Sequence, residues 1–268
     1  MAAEESEQSQ QSQQREQGKE SPSAHPPHTP HTPHTPQPHT PHTPHSPQEF
    51  HPPVEEYLET MLALAEEGVP VIQARIAERL GRAAPSVSEM LERLIDDGYV
   101  SRHGRRLDLT ESGRTLAEKV VRKHRLAERL LVDVIGLEWH KVHREAGRWE
   151  HVISDDVEAR LVELLGDPAT CPHGNPIPGS GSVATKVSTR PLTEVGSGER
   201  VRLVRISEEV ELNLGSLTIL GEGGFIPGAV ARVGGRDGDD NLEVQVEGGD
   251  QTLHLSAALT DRLFVGSA

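Results

Sequence analysis

Apolar positions in residues 54–166 recur mainly with the period of a helix. VEEYLETMLALAEEG sets Tyr57, Leu58, Met61, Leu62 and Ala65 on one stripe, with Gly68 and Pro70 as the stop, so an amphipathic helix is expected. VIQARIAERLG predicts a second, short helix closed by Gly81. Pro85 suits the first turn of a third, PSVSEMLERLIDDG, which buries Val87, Met90, Leu91 and Leu94 and ends at Gly98. YVSRHGRRLDLT then changes to alternation around His103-Gly104, a hairpin signal. Two short helices, a sharp turn and a basic hairpin predict a winged helix-turn-helix.

Helices over 111–136 and 138–152 follow, the first ended by Gly136. Another is expected from Asp155 to Leu165, capped by Ser154, with acidic residues in its first turn and Gly166 after it. Residues 167–189 are rich in Pro, Gly and Ser and read as a linker. From Arg190 onward, RVRLVRI, LEVQVEG and TLHLS alternate with glycine turns, predicting a small antiparallel barrel or sandwich. Before all this, residues 1–53 run from a Glu/Gln/Ser tract into HPPHTPHTPHTPQPHTPHTPHSP. Proline at nearly every third position and the scarcity of apolar residues predict disorder. His25, His28, His31, His34, His39, His42, His45 and His51 make this stretch either a weak metal-collecting tail or a low-complexity linker.

Charge changes this picture only locally. The net charge is −15, which taken alone argues against nucleic acid, yet residues 71–129 carry 13 Lys/Arg against 9 Asp/Glu. A mildly basic island in an acidic chain is compatible with DNA binding. The single cysteine, Cys171, excludes a disulfide framework within the chain and a cysteine-based zinc finger. No run approaches the ~18 apolar residues of a membrane span, and the polar start lacks a secretory core. The expected location is cytoplasmic, with no membrane partner.

Two clusters carry the candidate chemistry. In KHRLAERLL, His124 and Glu128 are spaced i, i+4. In HREAGRWEH, His143, Gly147, Glu150 and His151 fall at i, i+4, i+7 and i+8, one stripe of a helix. Imidazoles and carboxylates converging from helices build divalent-metal sites. A lone His/Glu pair at this spacing is usually a surface pair contributing ~0.2–0.5 kcal/mol, so the number of candidates carries the argument.

RIAERLGRAAPSVSEMLERL, LTESGRTLAEKVVRKHRLAERLLVDVIGL, KVHREAGRWEHVISDDVEARL and HGNPIPG closely resemble the diphtheria toxin repressor family of metal-dependent transcriptional regulators. That family has iron- and manganese-responsive members. The resemblance is strong over 54 to about 179 and covers 190–268 only in outline, as an SH3-like domain. It implies a mainly α protein in parts: a tail (1–53), a winged helix-turn-helix DNA-binding domain (54–113), a helical metal-binding and dimerisation domain (114–166), the linker, and an SH3-like β-barrel (190–268). It also implies a homodimer on a palindromic DNA operator, repressing metal-uptake genes.

By the same resemblance, residues 71–82 support a recognition helix at 84–97. Pro85, Ser86, Ser88 and Glu89 lie at its N-terminal end, near base edges and phosphates. Arg75, Arg82, Arg102, Arg105 and Arg106 would be phosphate contacts. The implied metal ligands are Glu56 and Glu59 of the first helix with His124, Glu128, His143, Glu150 and His151. Hard carboxylates with imidazoles favour Mn(II), with Fe(II) as the alternative. Gly147 departs from the family, which has cysteine or glutamate there; Cys171 and His173 are read as linker residues rather than its substitutes. An ancillary site would use His124, Glu128 and His143, completed near Asn213 and Ser216, with Glu209 and Glu211 close by. Trp139, Trp149 and Leu161 read as helix-packing and dimer-core residues. The chain contains no HExxH or nucleophile motif, which argues against a metalloenzyme. The remaining rival readings are a winged-helix regulator with structural His/Glu stripes and a metal buffer driven by the His-rich tail.

Overall fold

The computed structural model describes residues 52–181 and 188–268. The expectation for 1–53 lies outside the described residues except for its last two positions, which open the first helix. Three apolar cores organise the described chain.

The first core is the winged helix-turn-helix. α1 (Pro52–Glu66) buries Tyr57, Leu58, Met61 and Leu62 of its predicted stripe, while Ala65, near its end, is exposed. α2 (Gln73–Leu80) stops at Gly81, whose left-handed backbone (φ +60°) lets the amide return to the last carbonyls. α3 (Ala84–Asp96) starts with Pro in its first turn and buries Val87, Leu91 and Leu94. β1 (Val100–His103) and β2 (Arg106–Leu109) pair antiparallel as the wing. α4 (Glu111–Arg129) is capped by the Thr110 hydroxyl, which accepts the Gly113 amide at 3.2 Å. A Cβ at Gly113 would lie 2.0 Å from the Tyr99 carbonyl oxygen, so only glycine lets α4 lie this close to the wing.

The second core joins the end of α4 to α5 (Val142–Trp149) and α6 (Asp155–Leu165), the latter capped by Ser154 as expected. Two predicted helices are less regular than their patterns suggest. The 111–136 helix is α only to Arg129 and continues as a π-helical turn over Leu130–Ile135. The 138–152 helix is a 3-10 turn (Trp139–Lys141) followed by α5, so Glu150 and His151 lie beyond its end. The stripe read from His143 to His151 therefore outlasts the helix, and past its end Glu150 meets His124 of α4 while His151 meets Glu55 of α1.

Residues 167–181 pack tightly against their neighbours rather than spanning freely. Cys171, His173, Asn175 and Ile177 are buried. A tight turn holds them, with the Gly174 amide on the Cys171 carbonyl and the Cys171 amide on the Asn175 carbonyl. A Cβ at Gly174 (φ +87°) would lie 2.0 Å from the Val204 carbonyl oxygen. Pro and Gly here mark this compact turn, not a spacer.

The third core lies under six antiparallel strands in the order β3-β8-β4-β5-β6-β7: β3 (Arg190–Pro191), β4 (Arg200–Ile206), β5 (Val230–Arg236), β6 (Leu242–Val246), β7 (Thr252–Leu255) and β8 (Leu263–Ser267). Among the described residues β3 and β7 each pair with one strand, so the pairing shows a six-stranded antiparallel sheet and not the closure that the expected barrel adds. The sequence pattern also missed α7 (Glu208–Glu211) and α8 (Leu214–Glu222), which sit between β4 and β5; α9 (Ala257–Thr260) precedes β8. LGSLTILGE is apolar nearly all round, so it offers no helical stripe to read.

Buried polar contacts fasten α7 to the helical part. Glu67 accepts Arg79 of α2 at 2.6 Å, and its other oxygen accepts the Glu208 amide at 3.0 Å. It thereby caps α7 from another domain, while the N-cap residue Ser207 makes no side-chain cap. Asn175 donates to the Ile206 carbonyl at 3.0 Å and to Glu211 at 2.6 Å. Arg125 of α4 pairs with Glu66 at 2.7 Å.

Candidate metal centre

α4 runs between α1 and α5 and turns His124 and Glu128 inward, where Glu128 is fully buried. His124 Nδ1 meets Glu150 at 2.5 Å, while Nε2 lies 3.1 Å from Glu128 Oε1 and 3.0 Å from His143 Nδ1. His143 Nδ1 lies 3.2 Å from Glu128 and 3.0 Å from Glu211. His173 Nδ1 lies 3.1 Å from Glu128 and 3.2 Å from Glu211. Three groups of donor atoms come within 4.8 Å of one another: His124/Glu128/His143/Glu211, Glu128/Cys171/His173, and Glu59/His124/Glu150. The groups share His124 and Glu128, so they form one connected centre.

The donor chemistry fits a divalent ion. Glu128 Oε1 is within hydrogen-bond distance of three imidazoles, yet its buried Oε2 and the buried Nε2 of His173 have no partner. Groups so placed are costly to bury unless something satisfies them. Protons hold the metal-free charges together. Burial opposes a charged His124, but the Glu128 and Glu150 carboxylates overcome it and keep the ring well above its usual range. Burial likewise opposes a charged His143, and Glu128 with Glu211 raises it to about 9. His151, bonded to Glu150 and Glu55, rises to about 10. Burial and the nearby Glu150 charge push Glu59 to about 8. Burial and the Glu128 charge hold the Cys171 thiol at about 11.

Most of the expected ligands converge. Glu59, His124, Glu128, His143 and Glu150 stand in the three donor groups, and His151 adjoins them through Glu150 at 3.0 Å. Glu56 does not: it is half-exposed and pairs with Arg82 at 2.6 Å, because it sits off the stripe of α1 that holds Glu55 and Glu59. Asn213 and Ser216 do not complete the ancillary group, since the Asn213 side chain caps α8 on the Ser216 amide. Glu209 turns to Arg262. A Cβ at Gly147 would meet nothing within 4 Å, so no bulk fills the missing side chain's place.

Cys171 and His173, read as linker residues, stand in the donor groups, as does Glu211, and a buried acid, Glu55, borders them through His151. CPHG was the available signal for the first two. Trp139 supports them: its indole donates to the Pro172 carbonyl at 3.0 Å and its ring packs edge-on to His173. It therefore packs on the third core as well as on its own helices. Trp149 and Leu161 stay within the second core.

The residues expected to meet DNA lie apart from this centre. Pro85, Ser86 and Glu89 are exposed on the first turns of α3, and Ser88 is half-buried. Arg75 pairs with Glu78, Arg82 with Glu56, Arg102 with Glu92 and Arg106 with Asp108, at 2.5–2.8 Å. Arg105 has no ion-pair partner among the described residues. Such exposed pairs are weak and exchangeable, so these guanidinium groups remain open to phosphates.

A winged helix-turn-helix joined to a buried His/Glu/Cys centre defines a class of DNA-binding proteins with a built-in metal site. The chain matches the models for the iron dependent repressor N-terminal DNA binding domain over residues 49–106 and for the iron dependent repressor metal binding and dimerisation domain over 110–179. It is 49% identical over 187 residues to the iron-dependent repressor IdeR of Mycobacterium tuberculosis, spanning 65% of this chain and 80% of that protein. It is 46% identical over 196 residues to the diphtheria toxin repressor of Corynebacterium diphtheriae, spanning 70% and 87%. A solved manganese-dependent transcriptional repressor in complex with manganese superposes with a TM-score of 0.71 at 32% identity, covering 80% of this chain and all of that one. The chain belongs to the diphtheria toxin repressor family of metal-dependent transcriptional repressors. Members are DNA-binding regulators rather than enzymes, and one of the matched domains is a dimerisation domain. No described helix is long and apolar enough to cross a membrane.

Proposed function

We propose that this protein is a cytoplasmic, homodimeric repressor that senses Mn(II) and binds a palindromic operator of metal-uptake genes. The observation that carries the reading is the buried centre uniting α1, α4, the end of α5, the CPHG turn and α7. The ligands would be Glu59, His124, Glu128, His143, Glu150 and His151, with Glu211, Cys171 and His173 completing the part nearest the C-terminal domain. Glu56 would join only by leaving Arg82. Arg75, Arg82, Arg102, Arg105 and Arg106 would meet phosphates, and Pro85, Ser86, Ser88 and Glu89 the groove. As an acceptor only, Glu89 suits a cytosine amino group.

When bound, a divalent ion supplies the positive charge that these carboxylates otherwise obtain from protons. Glu59 and Glu150, which repel one another when both are ionised, would then hold α1 against α4 and α5. That fixes α1 and the helix-turn-helix built on it, and with them the spacing of the two recognition helices in the dimer. A full reversal of occupancy from 1:99 to 99:1 needs about 5.5 kcal/mol of preference for the DNA-competent state.

Fe(II) is the second reading, favoured by Cys171. A sulfur donor beside His173 and Glu128 is softer than the oxygen-rich set on α1, and IdeR is iron-dependent by name. The test is binding to the DNA upstream of metal-uptake genes under anaerobic conditions with chelator, Mn(II), Fe(II) and Zn(II) compared. Tight, salt-sensitive binding with Mn(II) alone supports the proposal. A preference for Fe(II) replaces the metal, and equal binding in chelator ends the sensing hypothesis.

A further inference from the structure

Among the described groups bordering the metal centre, Glu55 is the buried acid that the resemblance does not account for. It is 2% exposed, on the same face of α1 as Glu59, one turn earlier. Its Oε2 lies 2.6 Å from His151 Nδ1, and its Oε1 is buried without a partner. The other ring nitrogen of His151, Nε2, lies 3.0 Å from Glu150 Oε1. The imidazole thus stands between two carboxylates from different helices. Glu55 itself is absent from the three groups of converging donor atoms, because the ring separates it from Glu150.

We propose that Glu55 is a positioning residue of the metal centre: it holds the His151 ring with Nδ1–H engaged, leaving Nε2 as the atom offered beside Glu150. This rests on the reading of His151 as a ligand. A carboxylate behind a ligating imidazole fixes its tautomer and orientation and raises its basicity. The task matters more here because Gly147 offers no ligand atom, so each remaining ligand carries a larger share of the binding. It also gives α1 two distinct links to the centre, a direct carboxylate at Glu59 and an indirect one through Glu55 and His151. Glu56, on the neighbouring stripe, faces the helix-turn-helix instead. Three glutamates within five residues of α1 therefore address three different places.

The test is a double-mutant cycle on the full chain, titrating Co(II) into metal-free protein and following its visible absorption. Glu55→Ala is expected to weaken the site containing His151 by about 10- to 100-fold, with the saturated spectrum unchanged because the ligand atoms are the same. Glu55→Gln, whose amide oxygen still accepts the Nδ1 proton, should recover part of the affinity. In a His151→Ala background, Glu55→Ala should cost nothing further in Co(II) affinity. Thermal unfolding of each metal-free variant separates metal affinity from folding. An altered saturated spectrum in Glu55→Ala would make Glu55 a ligand and overturn the positioning role. Equal losses in both backgrounds would make Glu55 a purely structural residue. If His151→Ala binds Co(II) as wild type does, the ligand assignment fails first and the positioning role falls with it.

Discussion

The wing and the metal centre both hold opposite charges at hydrogen-bond distance, yet they are built to opposite rules. On the wing, Arg102–Glu92 and Arg106–Asp108 are substantially exposed, each pair stands alone, and a phosphate can take the place of the carboxylate beside either arginine. In the centre, Glu128 is fully buried and shared among His124, His143 and His173. Water screens the first set and leaves each pair worth little; its exclusion makes every member of the second depend on the others. The difference teaches that affinity for the polyanion can be tuned one side chain at a time. The switch cannot, because removing one member strands the rest.

The largest effect that would break this contrast is at Glu128. Glu128→Ala leaves three imidazoles facing a void, and a broken buried ion pair costs about 3–5 kcal/mol. Calorimetry of the metal-free protein should show that loss, and metal-dependent operator binding should disappear. A variant that unfolds like wild type would mean the centre is as forgiving as the wing.

The next effect is pH dependence. His143 and His151 hold protons up to about pH 9 and about pH 10 in the metal-free protein, and a ligating nitrogen must release its proton. Metal affinity should therefore rise by about tenfold per pH unit for each of these rings between about pH 6 and 8. Metal-free stability should move the other way. Its contribution from these raised-pKa rings is complete below their unfolded value near 6.5 and is lost as pH climbs through about 9 and about 10. Mn(II) titrations and metal-free melting at matched pH read both slopes; parallel slopes would refute the proton-for-metal exchange.

Gly174→Ala should come third. The new Cβ meets the Val204 carbonyl in a left-handed backbone, a strain on the order of 1–3 kcal/mol. The His173 turn should loosen, weakening metal binding while leaving residual metal-free DNA binding unchanged. The smallest change belongs to Arg105→Ala in the wing. It should weaken binding about equally for operator and random DNA and lower the salt-dependence slope by about one. A sequence-selective loss there would mean that Arg105 reads bases.

The helix-turn-helix was legible because its stripes, glycine stops and Pro85 are local signals, and local packing obeys them. His124, Glu128, His143 and Glu150 were legible as donors for the same reason. What escaped depends on contacts distant in sequence. Nothing local distinguishes Glu55 from Glu56; only the packing of α1 sends one to His151 and the other to Arg82. Cys171 and His173 sit in a Pro/Gly-rich segment that resembles a spacer until β4 covers it. Glu211 was placed only beside Asn213 and Ser216; choosing it over them required knowing that EEVE forms a helix whose cap comes from Glu67, far earlier in the chain. The sheet's strand order was equally hidden, since strand runs announce pairing but not which strands are neighbours.

The position of Glu211 in the chain also orders events during synthesis. It is translated after every other member of the centre, so a chain still emerging from the ribosome carries the imidazoles, Glu128 and the helix-turn-helix before the group that closes them together. On the function proposed above, a nascent or prematurely terminated chain would carry the helix-turn-helix with the donor group of Glu211 still incomplete. Because Glu67 holds both Arg79 of α2 and the start of α7, the segment that brings Glu211 to the donor groups is tied to the helix-turn-helix by the same carboxylate.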